Sequence, residues 1–168
     1  MATIEYILFA LKLFAALGCG LIAGVFFAFS AFVMKALARI SPAEGIAAMQ
    51  SINIAVINPL FMVAFLGTAA ACVIVIISSI LRWQDSGAIY SLVGGVLYLV
   101  GTVMVTMLFN VPKNNALASV TPTDTDSANL WVNYVASWTT WNHVRTVAAL
   151  IAAAALIISL CHGTAKSP

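Results

Sequence analysis

Residues 131–146, WVNYVASWTTWNHVRT, decide how the chain is read, because three tryptophans, two asparagines, a histidine and an arginine stand there at the head of an apolar run. Steps of three and four place Trp131, Tyr134, Trp138, Trp141, Asn142 and Arg145 on one face of a helix. The apolar run at 144–161 barely reaches the roughly 20 residues that cross a bilayer, so Arg145 falls inside the hydrocarbon edge. A guanidinium at that depth needs a partner or water. Two readings fit equally well. Arg145 and Asn142 face a polar pocket between helices, roofed by the tryptophans, or Arg145 snorkels to the surface through an interfacial aromatic belt.

Composition sets the class. Hydrophobic residues fill 63% of 168 positions and charged residues 7%, against about a quarter charged in soluble domains. The expectation is an all-α, polytopic membrane protein in one domain, a four-transmembrane-helix bundle embedded in a lipid bilayer. It would be a multi-pass protein of a cell membrane, the inner one in a bacterium. The net charge of +2 is small and scattered, which excludes nucleic acid as a partner and gives no polybasic lipid switch. Cys19, Cys72 and Cys161 stand singly in or at the end of apolar runs, without C-x-x-C spacing, and read as small packing residues.

The expected spans are about 6–37, 60–81, 88–109 and 142–161, with extramembrane segments at 38–59 and 110–141. The first run, broken only by Lys12 and Lys35, outlasts the roughly 30 Å core, so its far end should project from the membrane. Glu5 and the length of the run argue against a cleaved signal. Gly20 and Gly24 form a small-x-x-x-small pair suited to close approach of a neighbouring helix. Phe26, Phe27, Phe29 and Phe32 follow, as packing bulk or as the wall of a pocket for a flat ligand. Ser41-Pro-Ala-Glu44 predicts a capped helix start, and that helix carries Met49, Gln50 and Asn53 toward Asn58-Pro59.

In the third span, Tyr98, Thr102, Thr106 and Asn110 recur every four residues as a polar stripe. The proline of Asn110-Val-Pro-Lys-Asn114 is expected to stop this helix. Asp124, Asp126 and Ser127 offer caps for a short helix lying at the membrane surface. Four spans bring the end of the first, the start of the second, the end of the third and the start of the fourth to one side. Ser30, Lys35, Asn53, Asn58, Asn110, Asn114, Asn142, His143 and Arg145 all belong to that side, as a ligand site between bundle helices requires. Lysine and arginine counts do not decide which side of the membrane this is.

Paired carboxylates within a span, a nucleophile elbow, a phosphate loop and a zinc-protease motif are all missing from the sequence, so hydrolysis and phosphoryl transfer have no visible machinery. His143 and His162 stand at opposite ends of one helix and cannot share a haem iron. No metal site is expected.

Asn110-Val-Pro-Lys-Asn114, Trp131-x-x-Tyr134 and Trp138-Thr-Thr-Trp-Asn-His-Val-Arg145, with Met49-Gln-x-x-Asn53 and Asn58-Pro-x-Phe61, resemble the anthrone oxygenase-like family of small four-helix membrane proteins. Much of that family is grouped as a domain of unknown function. The resemblance implies a cofactor-independent monooxygenase that oxidises a flat, hydrophobic phenol of anthrone type to a quinone with O2. It implies Arg145, Asn142, His143 and Asn110 as catalytic candidates. Asn114, Trp138, Trp141, Asn53, Asn58, Phe26 and Thr106 become candidates for holding substrate. On this reading Arg145 and the amides of Asn110 and Asn142 stabilise an oxyanion, and His143, or a water it positions, serves as general base. Helical spacing points His143 away from Arg145, unless the helix begins only at Trp141. A non-catalytic module binding a quinone or lipid in the same pocket is the alternative, and the sequence leaves a homo-oligomer open.

Overall fold

The computed structural model describes residues 2–124 and 127–164, and among them every regular element is helical. Helix α1 (Ala2–Ala28) runs through a π-helical segment, Phe29–Val33, into the short α2 (Met34–Leu37). Next come α3 (Pro42–Ala55), α4 (Pro59–Leu81) and α5 (Ala88–Val96). Beyond α5 the chain stays helical in π register through Leu97–Met104 and Thr106–Asn110, then enters α6 (Val111–Ala118). The last helix, α7, spans Ser127–Thr164. Four helical rods, Thr3–Leu37, Pro59–Leu81, Ala88–Ala118 and Ser127–His162, are long and apolar enough to cross a membrane.

The bundle has two cores because three of its rods outlast the bilayer. Ala15, Cys19, Ile22, Phe26, Phe65, Cys72, Val75, Tyr98, Ala149, Ala152 and Leu156 fill the transmembrane core. Small residues on α7 let it lie close along α1 and α5, where dispersion between packed backbones replaces the hydrophobic drive that lipid cannot supply. Beyond the spans, Met34, Ile46, Met49, Leu117, Trp131, Tyr134 and Trp138 form a second, cap-like core under α3 and α6. Leu60, Val63, Ile80 and Leu81 on α4 are exposed, as lipid-facing positions should be.

Local chemistry sets the element ends. Ser41 and Glu44 close a capping box: Glu44 N–H donates to Ser41 Oγ at 3.4 Å and Ser41 N–H to Glu44 Oε2 at 3.1 Å. These bonds hold the Glu44 carboxyl below its ordinary pKa. Asn58 caps α4, accepting from Phe61 N–H at 3.0 Å and donating to Ala55 O at 2.9 Å. Gln50 donates to Leu117 O and Val120 O, satisfying carbonyls at the end of α6 and tying it to α3. Gly87, with φ of 87°, makes the turn into α5 that a side chain would strain.

Three expectations need correction. Pro112 does not stop the third helix, which continues to Ala118. The π register before it sends Val111 N–H to Thr106 O, so proline falls at the first turn of α6, where its missing donor costs little. Among the described residues no separate surface helix precedes the fourth span either. Ser127 opens a 38-residue helix, because Trp131, Tyr134 and Trp138 bury their faces in the cap at steps that favour unbroken helix. The proposed cap at Asp126 lies outside the described residues. Finally, Gly20 and Gly24 face open space within the chain. The close approaches lie elsewhere, at Gly18 against Thr68 and at Gly95, where an added Cβ would stand 3.1 Å from Cys72 O.

The last contrast predicts different outcomes for one chemistry. Gly95→Leu should cost roughly 1–3 kcal/mol or more through overpacking and lower the thermal midpoint in detergent. Gly20→Leu should leave that midpoint unchanged.

Candidate functional site

Arg145 sits where the two cores meet. Its guanidinium carbon lies 4.1 Å from the centroid of the Phe26 ring, on the bundle side, and 5.0 Å from that of Trp138, on the cap side. Phe26 packs edge-on against Phe65, six residues into α4, which puts this layer about 9 Å inside the end of that span at 1.5 Å per residue. Only 4% of Arg145 is exposed. The charge is therefore buried and does not snorkel.

No acidic side chain among the described residues pairs with it. Its Nη2 donates to Asn142 Oδ1 at 2.7 Å and its Nη1 to Thr106 Oγ1 at 3.2 Å. Two such bonds to a charged group contribute roughly 1.5–3 kcal/mol each, and two desolvated cation–π contacts about 2 kcal/mol each. Together they are of the size of the several kcal/mol that burying one ion costs, so the cation is held without a counter-ion. Its Nε is buried and has no partner.

The second layer holds these groups in place. The Nδ2 of Asn142 donates to Phe26 O and to Ser30 Oγ, both at 2.7 Å, leaving its Oδ1 aimed at Arg145. Thr146 Oγ1 donates to Asn142 O at 2.8 Å and lies 3.4 Å from Ser30 Oγ. Thr102 Oγ1 donates to Arg145 O, and Thr106 Oγ1 to Thr102 O. Asn110, fully buried, donates through Nδ2 to Trp138 O at 3.2 Å. Since a carbonyl can only accept, this bond orients the amide and leaves Asn110 Oδ1 as a buried acceptor with no partner. Asn114 Oδ1 accepts from both Tyr134 Oη at 2.9 Å and Trp138 Nε1 at 2.8 Å, which fixes the aromatic wall.

Two of the three rods around Arg145 are π-helical at this level, over Phe29–Val33 and Thr106–Asn110. A π register exposes backbone carbonyls, and such bulges gather at functional sites.

The structure thus brings together Arg145, Asn142, Asn110, Thr106, Phe26 and Trp138, with Asn114 behind the wall. Asn53, half-buried, has an unpartnered Nδ2. Three candidates stand apart. His143 is exposed, on the side of α7 turned away from Arg145, because α7 is already helical well before Trp141. Asn58 is exposed and used as a helix cap. Trp141 stacks on Phe109 at 3.6 Å and 8° on the flank of the bundle, outside the Phe26–Arg145–Trp138 sandwich. The two amides differ: Asn142 spends both Nδ2 hydrogens, on Phe26 O and Ser30 Oγ, whereas Asn110 spends one on Trp138 O and keeps a second. Ser30, Thr102 and Thr146 complete the network. The polar stripe of the third span already pointed to Thr102, and Thr146 lies one turn after Asn142.

Among the described residues no three or more histidine, cysteine, aspartate or glutamate side chains gather where they could hold a metal ion. Fold and site together define a four-span helical membrane protein with a buried, uncompensated cation between aromatic faces. The family model described as Anthrone oxygenase matches residues 60–155, more than half of the chain, and the chain belongs to that family. No curated protein and no solved structure matches it.

Asn142→Leu should remove the bonds to Phe26 O and Ser30 Oγ and leave one arm of Arg145 unbonded, costing about 2–3 kcal/mol, read as a lower unfolding midpoint. His143→Gln should leave the midpoint where it was.

Proposed function

We propose that the chain is a membrane oxygenase that binds a flat, acidic phenol of anthrone type as its anion at Arg145 and converts it to a quinone with O2. The observation that carries this reading is the buried guanidinium: it has unused N–H groups, lies between two aromatic faces and has no acidic partner. Membership of the anthrone oxygenase family supports the oxygenase chemistry.

The reaction asks little of the protein. Dioxygen takes four electrons from the reacting methylene carbon; one oxygen atom becomes the quinone carbonyl, the other leaves as water with the two methylene hydrogens. An anthrone anion is electron-rich enough to pass the first electron to oxygen itself. Arg145 contributes fixed positive charge in a medium of low dielectric, where it stabilises the substrate oxyanion and reduced oxygen far more than water would. Phe26 and Trp138 offer faces to flat rings. Asn110 Oδ1 accepts a hydrogen bond from a substrate hydroxyl, a role opposite to that of an oxyanion donor. With His143 on the outer face, no carboxylate or imidazole among the described residues adjoins Arg145, and on this reading the substrate arrives already ionised.

Two measurements test this. Arg145→Met should abolish O2 uptake with an anthrone while the protein still inserts; uptake at the wild-type rate would end the proposal. Retained ligand without O2 uptake by the wild type would instead identify a quinone- or lipid-binding module. In addition, kcat/KM should rise with pH through the substrate's own pKa, since the anion is the bound form, and His143→Gln should keep the same profile.

A further inference from the structure

A groove of about 380 Å³ runs along the outer seam of α6 and α7, lined by Lys113, Ala116, Leu130, Asn133, Tyr134 and Ser137. It is separate from the Arg145 centre, from which the Tyr134 and Trp138 rings divide it. Its level in the membrane follows from the third rod. From Ala88, just after the turn that ends α4, the helix climbs about 30 Å by Asn110, close to the thickness of the hydrocarbon core. Lys113, one turn further, stands at the height of lipid headgroups.

The chemistry of the groove is one-sided. Lys113 is half-buried and has no acidic partner among the described residues. Every other polar liner is neutral, namely the Asn133 amide, the Ser137 hydroxyl and the Tyr134 phenol. One turn inward on both helices, from Lys113 to Phe109 and from Ser137 to Trp141, the seam becomes the Phe109–Trp141 stack. Leu108 and Val144 beside it are exposed to lipid. A cation and hydrogen-bonding groups at headgroup height, above a flat apolar strip, match an amphiphile with an anionic head.

We propose that this seam binds one phospholipid of net negative charge, its phosphate at Lys113 and the Asn133 amide and its first acyl carbons on the Phe109–Trp141 stack, with the Ser137 hydroxyl held on Asn133 O at 2.8 Å. Lysine is a usual point-charge ligand for phosphate, and basic pockets between membrane helices take lipid heads in this way. The Tyr134 ring forms a wall of the groove, while its hydroxyl shares Asn114 Oδ1 with Trp138 Nε1. The bound lipid therefore leans on the element that backs the Arg145 centre, although the proposal does not depend on the reaction assigned there.

The test uses the full chain in mild detergent, mixed with phosphatidylglycerol or phosphatidylcholine, with retained lipid counted by native mass spectrometry. The wild type should keep one phosphatidylglycerol and far less phosphatidylcholine. Lys113→Met should weaken retention about tenfold, the weight of one charge-assisted hydrogen bond. Lys113→Arg should retain the lipid, and Ala116→Trp, which fills the groove without changing charge, should lose it. Arg145→Met should bind it as the wild type does, which separates this site from the proposed oxygenase centre. Wild-type retention by both Lys113→Met and Ala116→Trp would overturn the proposal. So would displacement of the lipid by inorganic phosphate alone at matched concentration, since the occupant would then be a soluble anion.

Discussion

A guanidinium buried near the hydrocarbon edge without a carboxylate to neutralise it governs the arrangement of this protein. Removing such a charge from water costs several kcal/mol, and the chain answers with neutral groups from three of its four rods. Phe26 and Trp138 cover the two faces of Arg145, while Asn142 and Thr106 take two of its N–H groups. Each partner is itself held: Asn142 by Phe26 O and Ser30, Thr106 by Thr102, Trp138 by Asn110 and Asn114. The result is a positive centre that keeps spare donors, a property that a salt bridge would have removed.

The same constraint accounts for irregular helix where regular helix would be cheaper. The π register at Phe29–Val33 is adjacent to the Phe26 carbonyl that Asn142 satisfies. On the third rod, the π segments carry Thr102, Thr106 and Asn110 on the inward side. They also move the donor missing at Pro112 to a helix start. In lipid, an unpaired backbone group costs several kcal/mol, and side chains bond carbonyls beside these segments: Asn142 at Phe26 O and Thr106 at Thr102 O.

The cap gives the site its outer wall. Bilayer thickness accounts for only part of the first, third and fourth rods, and their projecting ends meet α3 around Trp131, Tyr134 and Trp138. Gln50 locks α6 to α3 through two carbonyls, and Asn114 gathers the tyrosine and tryptophan that separate the Arg145 centre from the interfacial seam. A ligand at either place therefore meets aromatic surfaces whose positions are fixed by hydrogen bonds as well as by packing.

Much was legible from residue order alone. Hydropathy runs of bilayer length gave four helical spans, Ser41-Pro-Ala-Glu44 announced a helix start, and connectivity brought Arg145, Asn142, Asn110 and Asn114 to one side. These follow from local periodicity and capping, which need no knowledge of neighbours. Tertiary structure alone decided the rest. Whether Arg145 snorkels or is buried depends on which rings flank it. Whether an asparagine donates or accepts depends on which carbonyl lies across the interface. Whether Pro112 stops a helix depends on the register before it. The periodicity of α7 already turned His143 outward, but only the unbroken helix from Ser127 excluded a later start that would have turned it inward. Each is a relation between chain segments distant in sequence, and hydrogen bonds and packing across helices set it.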